Sequence, residues 1–196
     1  MKLILVRHGE VMNKHNSDLT KKGRIQAALL AKKLKKEKID AIYSSDLKRS
    51  KQTANFIGKE RNQKIIFTEC LREVPDEIIE KKKKDWKNKK IDIKRIKELK
   101  NFLNQLNKKY KENTVLLVAH AKTNRLIVSI LTKLNPHSLL FFNQSHCNIT
   151  IVEYGERYIN KFRNKIYGWK VVLWNSTNHI PKTLVTGVNR LANRLK

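Results

Sequence analysis

The chain has 196 residues, of which 40% are hydrophobic, and it contains only six glycines and three prolines. That is enough apolar material to bury the core of one domain, and it excludes a disordered chain or a repeat array. The two cysteines are too few for a disulfide framework or a zinc site. With 44 Lys and Arg against 17 Asp and Glu, the net charge of +27 favours contact with polyanions or phosphorylated substrates.

The apolar runs of the chain are far too short to span a membrane, and the apolar start is too short for a signal peptide. We therefore expect a cytoplasmic protein with no membrane partner. The basic surface leaves two interpretations open, a solvated Lys-rich surface or a nucleic-acid-binding surface. No aromatic and basic stacking motif is visible in the sequence, which favours the first.

The first predicted element is a buried strand over the apolar residues 3–6, which stops at Gly9, where the backbone is free to turn. Arg7 and His8 follow at the carboxyl end of this strand, where open α/β sheets bind their ligands. Arg presents a fork of donors to phosphate oxygens, and His carries a nucleophilic nitrogen. This strand end therefore favours a phosphate site.

A helix and a second strand–helix pair are predicted next. Thr20 is expected to cap a helix after the polar loop over residues 11–18. Residues 39–43 predict a short strand, and the three capping residues 44–46 predict the start of a second helix. Arg49 then lies in the first turn of that helix, where the helix N-terminus attracts anions.

The middle of the chain contains the second apolar strand that ends on a histidine. Residues 65–67 predict a strand, the Lys run 81–84 predicts an exposed loop or helix end, and residues 93–110 predict an amphipathic helix. Residues 114–119 then form an apolar strand that ends on His120. Two apolar strands that each deliver a His at the carboxyl end, with a helix after each, are typical of a parallel α/β sheet.

The last third of the chain changes from helix to strand. The helix after His120 is expected to bury its apolar stripe as far as Leu134 and to stop at Pro136. Strands are predicted over residues 148–154 and 168–174, with a basic hairpin or loop between them, and a basic helix over residues 184–196.

We expect from these elements a three-layer α/β/α sandwich with a mainly parallel central sheet. The predicted division is a domain over residues 1–182 and a basic C-terminal tail over residues 183–196.

Five short motifs and a closing Asn-rich segment follow one another in a fixed order between residues 2 and about 180: Arg7-His8-Gly9-Glu10; Leu19-Thr20 with Gly23 and Gln26-Ala27; Ser44-Ser45 with Leu47, Arg49 and Thr53-Ala54; Leu71-Arg72-Glu73; the strand into His120 with Arg125; and Trp174-Asn175-Ser176-Thr177-Asn178-His179. Each motif alone is weak, but the ordered set resembles the histidine phosphatase superfamily, the phosphoglycerate-mutase-like proteins. The resemblance implies a phosphatase of the histidine acid phosphatase type.

The resemblance also implies roles for five residues. His8 would attack phosphorus and become a phosphohistidine, while a backbone carbonyl fixes the tautomer of its ring. Arg7, Arg49 and His120 would bind the phosphoryl oxygens, and Glu73 would protonate the leaving oxygen and then take a proton from water. Because the arginines supply the positive charge, no metal or cofactor is expected.

Other residues near these motifs are given smaller roles. Three are expected to contact the substrate: Asn13, Lys14 and Ala121, the last through its backbone N–H where the family usually has Gly. Lys122 and Arg125 could also help to bind a phosphorylated substrate. Three acidic neighbours are alternatives to Glu73: Glu10, Asp76 and Glu77. Four histidines are expected at the surface or in packing: His15, His137, His146 and His179.

The predicted function is therefore hydrolysis of a phosphomonoester on a phosphorylated small molecule. A cofactor-dependent phosphoglycerate mutase is the nearest alternative, but the short segment between Glu73 and Thr114 leaves little room for the insertion that such mutases tend to carry. A basic nucleic-acid-binding module is the alternative from a different class.

Overall fold

The computed structural model describes residues 1–12, 17–74, 90–135, 142–158 and 165–187. The described strands are β1 (Lys2–Arg7), β2 (Ala41–Ser45), β3 (Ile65–Thr68), β4 (Thr114–Ala119), β5 (Ile149–Tyr158) and β6 (Lys165–Ser176). The described helices are α1 (Lys21–Leu34), α2 (Lys48–Arg61), α3 (Lys90–Lys109) and α4 (Ala121–Thr132). Short 3₁₀ turns follow β3 at Glu69–Leu71 and precede the end of the described chain at Lys182–Leu184.

The six strands form one sheet in the order β3-β2-β4-β1-β5-β6. The pairs β1–β4, β2–β4 and β2–β3 are parallel, whereas β5 is antiparallel to both of its neighbours. β6 therefore runs in the same direction as β1, and β5 is the one reversed strand of this sheet. The predicted mainly parallel sheet is confirmed.

Two apolar cores lie on opposite faces of the sheet, because side chains alternate along each strand. In β1, Leu3 and Leu5 belong to the core that contains α3 and α4. Ile4 and Val6 belong to the core that contains α1 and α2. Helices thus cover both faces, which confirms the predicted three-layer α/β/α sandwich.

The start of the second helix differs from the prediction. Ser44 and Ser45 are the last residues of β2 and are fully buried, and α2 begins only at Lys48, after Leu47. Ser44 is paired with both β3 and β4, so its backbone belongs to the ladder. Ladder pairing in the middle of the sheet outweighed the capping tendency of serine, and the predicted cap was wrong.

The end of α4 also differs from the prediction. The helix stops at Thr132 because Lys133 adopts a left-handed conformation with φ 60°. Leu134 therefore lies beyond the helix and is 48% exposed instead of packed inward. Pro136, the predicted stop, lies outside the described residues, as does the Lys run 81–84.

The two last strands are longer than predicted, and the chain after them is not helical where it is described. β5 and β6 continue through residues 155–158 and 165–167, within the segment predicted as a basic hairpin or loop, and Gly155 pairs with Gly168. After the turn at Lys182–Leu184 the chain is extended at Val185. The predicted helix from residue 184 is wrong at its start, and residues 188–196 lie outside the described part of the chain.

No helix among the described residues is both long enough and apolar enough to cross a membrane.

Candidate active site

The carboxyl ends of β1 and β4 bring two histidines together at the middle of the sheet. Arg7 is paired with Ala119, and the His8 backbone N–H donates to the Ala119 carbonyl at 3.0 Å. The residue after each strand is a histidine, and the His8 and His120 rings lie 5.1 Å apart, edge to face. His8 is 4% exposed and His120 is fully buried. The strand ends predicted from the sequence therefore form one site.

The two ring nitrogens of His8 have different partners. Nδ1 lies 2.7 Å from the Gly9 carbonyl oxygen, which can only accept, so Nδ1 carries the proton. This carbonyl is the backbone acceptor that the sequence analysis expected. The Arg49 Nε–H donates to His8 Nε2 at 3.1 Å, so Nε2 presents a lone pair. Burial, reinforced by the positive charges around it, holds the pKa of His8 well below its ordinary value, and the ring is neutral.

The loop after β1 holds this ring against the first two helices. The Gly9 N–H donates to Thr53 Oγ1 at 3.0 Å, and Thr53 is fully buried in α2. A side chain at Gly9 would approach the Gly23 carbonyl oxygen to 2.6 Å, so only glycine lets the loop lie on α1. Thr20 caps α1 by accepting from the Gly23 N–H at 2.9 Å, as predicted.

Two guanidinium groups lie beside His8. Arg49, the second residue of α2, is 7% exposed, and burial lowers its pKa. Arg7 donates through Nη1 to the carbonyls of Gln144 and Gly187, and burial lowers its pKa to about 10, which leaves it charged at neutral pH. Arg7 Nε is buried and has no hydrogen-bond partner among the described residues. A buried charged donor without an acceptor is suited to binding an anion.

His120 is held through its Nε2, whereas the backbone carbonyl of Gly9 holds His8 through Nδ1. The Nε2 of His120 lies 3.0 Å from Ser45 Oγ and 3.4 Å from Ser50 Oγ, while its Nδ1 is buried and has no partner in the described part of the chain. Burial and the charges of Arg49 and Arg7 keep the pKa of His120 well below its ordinary value. Sequence analysis interpreted Ser45 as a helix cap and missed its contact with His120.

Glu73 is attached to the first turn of the helix that follows His120. Its Oε1 accepts from the Thr123 backbone N–H at 3.2 Å and from Thr123 Oγ1 at 3.3 Å. Burial raises the pKa of this half-buried carboxyl, although the charge of Lys122 and the Thr123 N–H oppose that shift. Glu73 also acts electrostatically on Arg7 and Arg49, so it belongs to the same cluster.

The other predicted residues divide into three groups. Glu10 accepts from Thr20 Oγ1 at 2.9 Å and is thus tied to the start of α1. Ala121 is the first residue of α4, directly after His120, and Arg125 donates to the Phe142 carbonyl at 2.8 Å. Six predicted residues lie outside the described ranges: Asn13, Lys14, His15, Asp76, Glu77 and His137.

A third imidazole lies beside His8 that the sequence analysis did not assign to the site. His146 is 8% exposed, and its ring lies 5.5 Å from the His8 ring. Burial and the Arg7 charge lower the pKa of His146 to about 2, so this ring is also neutral. No family motif or periodicity marked His146, since its position depends on long-range packing of the last described residues.

The cluster can bind a phosphoryl group and present a nucleophile to it. Two charged guanidinium groups and two neutral imidazoles belong to the cluster around the His8 ring, and Arg7 Nε and His120 Nδ1 are buried without a partner among the described residues. No group of three or more His, Cys, Asp or Glu side chains within the described ranges could hold a metal ion. Fold and site together define an α/β protein with a buried cationic cluster, suited to binding an anion, at the carboxyl edge of its sheet.

Comparison with known proteins identifies the family. The sequence matches the model of the histidine phosphatase superfamily (branch 1) over residues 3–164. Phosphoserine phosphatase 1 of Hydrogenobacter thermophilus is 27% identical over 186 residues, which cover 80% of this chain and 88% of that protein. A probable phosphoglycerate mutase, GpmB, of Photorhabdus laumondii is 33% identical over 108 residues, or 47% of this chain and 50% of that protein.

Solved structures share the fold over nearly the whole chain. A mutant phosphoserine phosphatase of Entamoeba histolytica in complex with phosphoserine superposes with a TM-score of 0.71 at 22% identity, covering 92% of this chain and 99% of that one. A mycobacterial glucosyl-3-phosphoglycerate phosphatase gives a TM-score of 0.69 at 18% identity, covering 90% and 99%. The chain belongs to the histidine phosphatase superfamily, and with its phosphoserine phosphatase relatives it is a phosphatase.

Proposed function

We propose that this protein hydrolyses a phosphomonoester of a small hydroxy or amino acid through a phosphohistidine on His8. The observation that carries the proposal is the state of the His8 ring. Nδ1 is held by the Gly9 carbonyl, and Nε2 presents a lone pair at the centre of a cationic cluster. A neutral imidazole whose Nδ1 carries the proton and whose Nε2 carries a lone pair is the form that attacks phosphorus.

In the first step Nε2 attacks phosphorus in line and the bond to the leaving oxygen breaks. The Arg49 Nε–H that now donates to Nε2 would move onto a phosphoryl oxygen when substrate binds, since the phosphorus must occupy its place. Arg7 Nε and His120 Nδ1, both buried and without acceptors in the described chain, would bind the other oxygens. These donors offset the charge that develops on the phosphoryl group.

Glu73 would supply the proton. Its raised pKa keeps the carboxyl protonated to a higher pH than an ordinary Glu, which suits a general acid for the first step. After the alcohol leaves, the carboxylate would take a proton from the water that attacks the phosphohistidine and returns His8 Nε2. Its hydrogen bond to Thr123, three residues after His120, and its electrostatic effect on Arg7 and Arg49 support this role.

The proposed substrate class depends on the relatives. The phosphatases among those named above act on phosphoserine or on a glucosyl phosphoglycerate, which are small phosphorylated acids. Lys122 and Arg125 lie on α4 beside Glu73 and act on it electrostatically, so they provide positive charge near a substrate carboxylate. A carboxylate-bearing phosphomonoester fits this environment better than a neutral one.

The test is a set of substrates with EDTA present: phosphoserine, 3-phosphoglycerate, a sugar phosphate and p-nitrophenyl phosphate. We expect phosphate release from all four, with kcat/KM at least about tenfold higher for the two carboxylates. Arg125→Gln should reduce that preference, and Lys170→Gln, a change on the edge strand β6, serves as the matched control. Equal kcat/KM for all four substrates would contradict the substrate class, and no phosphate release from any would contradict the hydrolase.

A phosphoglycerate mutase is a second candidate because a curated relative of that name is 33% identical over about half of this chain. A mutase returns the phosphoryl group to a bound acid, whereas a phosphatase passes it to water. Incubation with 3-phosphoglycerate separates the two, since a mutase yields 2-phosphoglycerate and a phosphatase yields glycerate and phosphate. We expect glycerate and phosphate as the main products.

A further inference from the structure

The last described residues of the chain lie against the proposed phosphate site. We call residues 184–187 the C-terminal strap. The Gly187 carbonyl accepts from Arg7 Nη1 at 3.2 Å, and Thr186 Oγ1 lies 2.9 Å from His146 Nδ1. The strap therefore contacts both Arg7 and the buried imidazole of His146. Gly187 lies 180 residues after Arg7 in the sequence, and Thr186 lies 40 residues after His146.

The strap is fixed from below by the fully buried amide of Gln26. Its Oε1 accepts from the Glu10 N–H at 2.9 Å, which defines the orientation of the amide. Its Nε2 then donates to the Leu184 carbonyl at 2.7 Å and to Thr186 Oγ1 at 2.9 Å. A second backbone bond runs from the His146 N–H to the Thr186 carbonyl at 2.9 Å. One motif of the N-terminal half thus holds the C-terminal strap in place.

These bonds fit a His146 ring that carries its proton on Nε2. Thr186 Oγ1 accepts from Gln26 Nε2 and can donate its own hydrogen to His146 Nδ1. Nδ1 is then the acceptor, and Nε2 of the neutral ring carries the proton. That places an N–H donor on a ring 5.5 Å from the His8 ring, in a cluster that otherwise binds oxygens through Arg7, Arg49 and His120.

Gly187 is the closest fit in this region. Its φ of +83° is a conformation that favours glycine, and a Cβ would lie 2.5 Å from Arg7 Nη1 and 2.9 Å from His146 Nδ1. No side chain can be added there without moving Arg7, His146 or the strap. The Gly187 and Gln144 carbonyls occupy Nη1 alone, so Nε of the same guanidinium stays available for an anion.

We propose that the C-terminal strap is a positioning element of the phosphate site, in which the Gly187 carbonyl orients Arg7 and the Thr186 hydroxyl orients His146 as a further donor to the phosphoryl group. The inference rests on the proposed phosphatase site. It extends that site to the part of the chain that the sequence analysis set apart as a tail. Whether residues 183–196 form a separate unit stays a prediction.

The test measures the affinity for inorganic phosphate by calorimetry, so that it does not depend on turnover. Thr186→Val removes the hydroxyl at nearly constant shape, and Thr186→Ser retains it. Gly187→Ala moves the strap, and Gly168→Ala is its matched control because a Cβ at Gly168 meets no atom within 4 Å. We expect Thr186→Val and Gly187→Ala to weaken phosphate binding about tenfold and to raise KM. Thr186→Ser and Gly168→Ala should stay within about twofold of wild type.

Thermal unfolding of the same samples separates positioning from folding. A lower melting temperature with wild-type phosphate affinity in both Thr186→Val and Gly187→Ala would overturn the proposal, because the strap would then be structural only. Hydrolysis by wild type, measured in parallel, distinguishes failure of the strap proposal from failure of the phosphatase proposal. If wild type hydrolyses substrate and the variants bind phosphate normally, only the strap proposal is contradicted. If wild type neither binds phosphate nor hydrolyses substrate, the phosphatase proposal is contradicted as well.

Discussion

The units β1–loop–α1 and β4–α4 begin alike and end in different chemistry. Each has a strand with a buried apolar centre, and the residue directly after the strand is a buried histidine. In the first unit a backbone carbonyl holds Nδ1 of His8 and leaves Nε2 facing Arg49. In the second unit two serine hydroxyls hold Nε2 of His120, and Nδ1 has no partner within the described ranges. The hydrogen-bond partner, and not the position on the strand, distinguishes the two imidazoles.

The second unit also carries the proposed acid. Thr123, in the first turn of α4, holds the carboxyl of Glu73, which follows β3 and the 3₁₀ turn in the chain. The first unit therefore supplies the proposed nucleophile. The second supplies His120, the proposed hydrogen-bond donor to the phosphoryl group, and holds Glu73, the proposed proton donor. Replacing residues in one unit at a time tests this division of roles.

The largest expected effect comes from His8→Ala. Loss of the nucleophile should lower kcat by about 10⁵-fold, because the covalent step through His8 Nε2 is removed. Phosphate release from p-nitrophenyl phosphate is the measurement. His179→Ala is the control, since His179 bonds to the Cys147 carbonyl at 3.0 Å and is not part of the cluster. Hydrolysis by His8→Ala at the wild-type rate would remove the nucleophile from this unit.

Glu73→Gln should have the next largest effect, and its size should depend on the leaving group. An alkyl phosphate such as phosphoserine needs a proton on the departing oxygen, so kcat should fall about 10³-fold. The nitrophenolate leaves without a proton, so the rate constant of the first step with p-nitrophenyl phosphate should fall about tenfold or less. Glu10→Gln is the matched control because Glu10 is tied to Thr20 at the start of α1. Equal losses with both substrates would contradict the role of acid.

The same variant should change the pH profile. Burial raises the pKa of Glu73, so the acid form persists to a higher pH than for an ordinary Glu. Activity on phosphoserine should fall as the pH rises through that raised pKa, because the first step loses its proton donor. The alkaline limb should be missing in Glu73→Gln. A limb of unchanged shape in the variant would assign it to another group.

His120→Ala should lower kcat by about 10²- to 10³-fold, the loss expected for one donor to a transition-state oxygen. The covalent intermediate should still form, because His8 and Arg49 are intact. Quenched-flow measurement of its formation rate with p-nitrophenyl phosphate checks this. An effect as large as that of His8→Ala, with no intermediate, would mean that the two histidines do not have separate roles.

Ser45→Ala is the smallest change. It removes the closer of the two hydroxyls on His120 Nε2, so kcat should fall about three- to tenfold. Ser50→Ala should have less effect because its hydroxyl lies 3.4 Å away. Steady-state kinetics on both variants rank the two contacts. A larger loss in Ser50→Ala than in Ser45→Ala would contradict the geometry.

The site residues at the strand ends could be predicted from the sequence, but their hydrogen-bond partners could not. Arg7, His8 and His120 could be placed together because the carboxyl ends of parallel strands meet at one edge of a sheet. Arg49 followed from the helix start after the next strand. Local patterns also misassigned Ser45, whose sheet pairing determines its role.

His146 is the clearest example of a site residue that could not be predicted from the sequence. Its place beside His8 depends on the strap at residues 184–187, which is remote in sequence and has no periodic or motif signal. Its partner Gln26 belonged to a recognised motif, but only the structure shows that its amide joins Glu10 to Thr186. Long-range hydrogen bonds of this kind have no signature in a single sequence.

The phosphorylated enzyme is the most direct test of the whole account. Wild type and His8→Ala are mixed with ³²P-labelled phosphoserine, quenched in alkali, and the labelled peptide is identified. The account predicts an alkali-stable and acid-labile label on His8 in wild type, and no label in His8→Ala. A label on any other residue, or an active wild-type enzyme that never carries one, would contradict it.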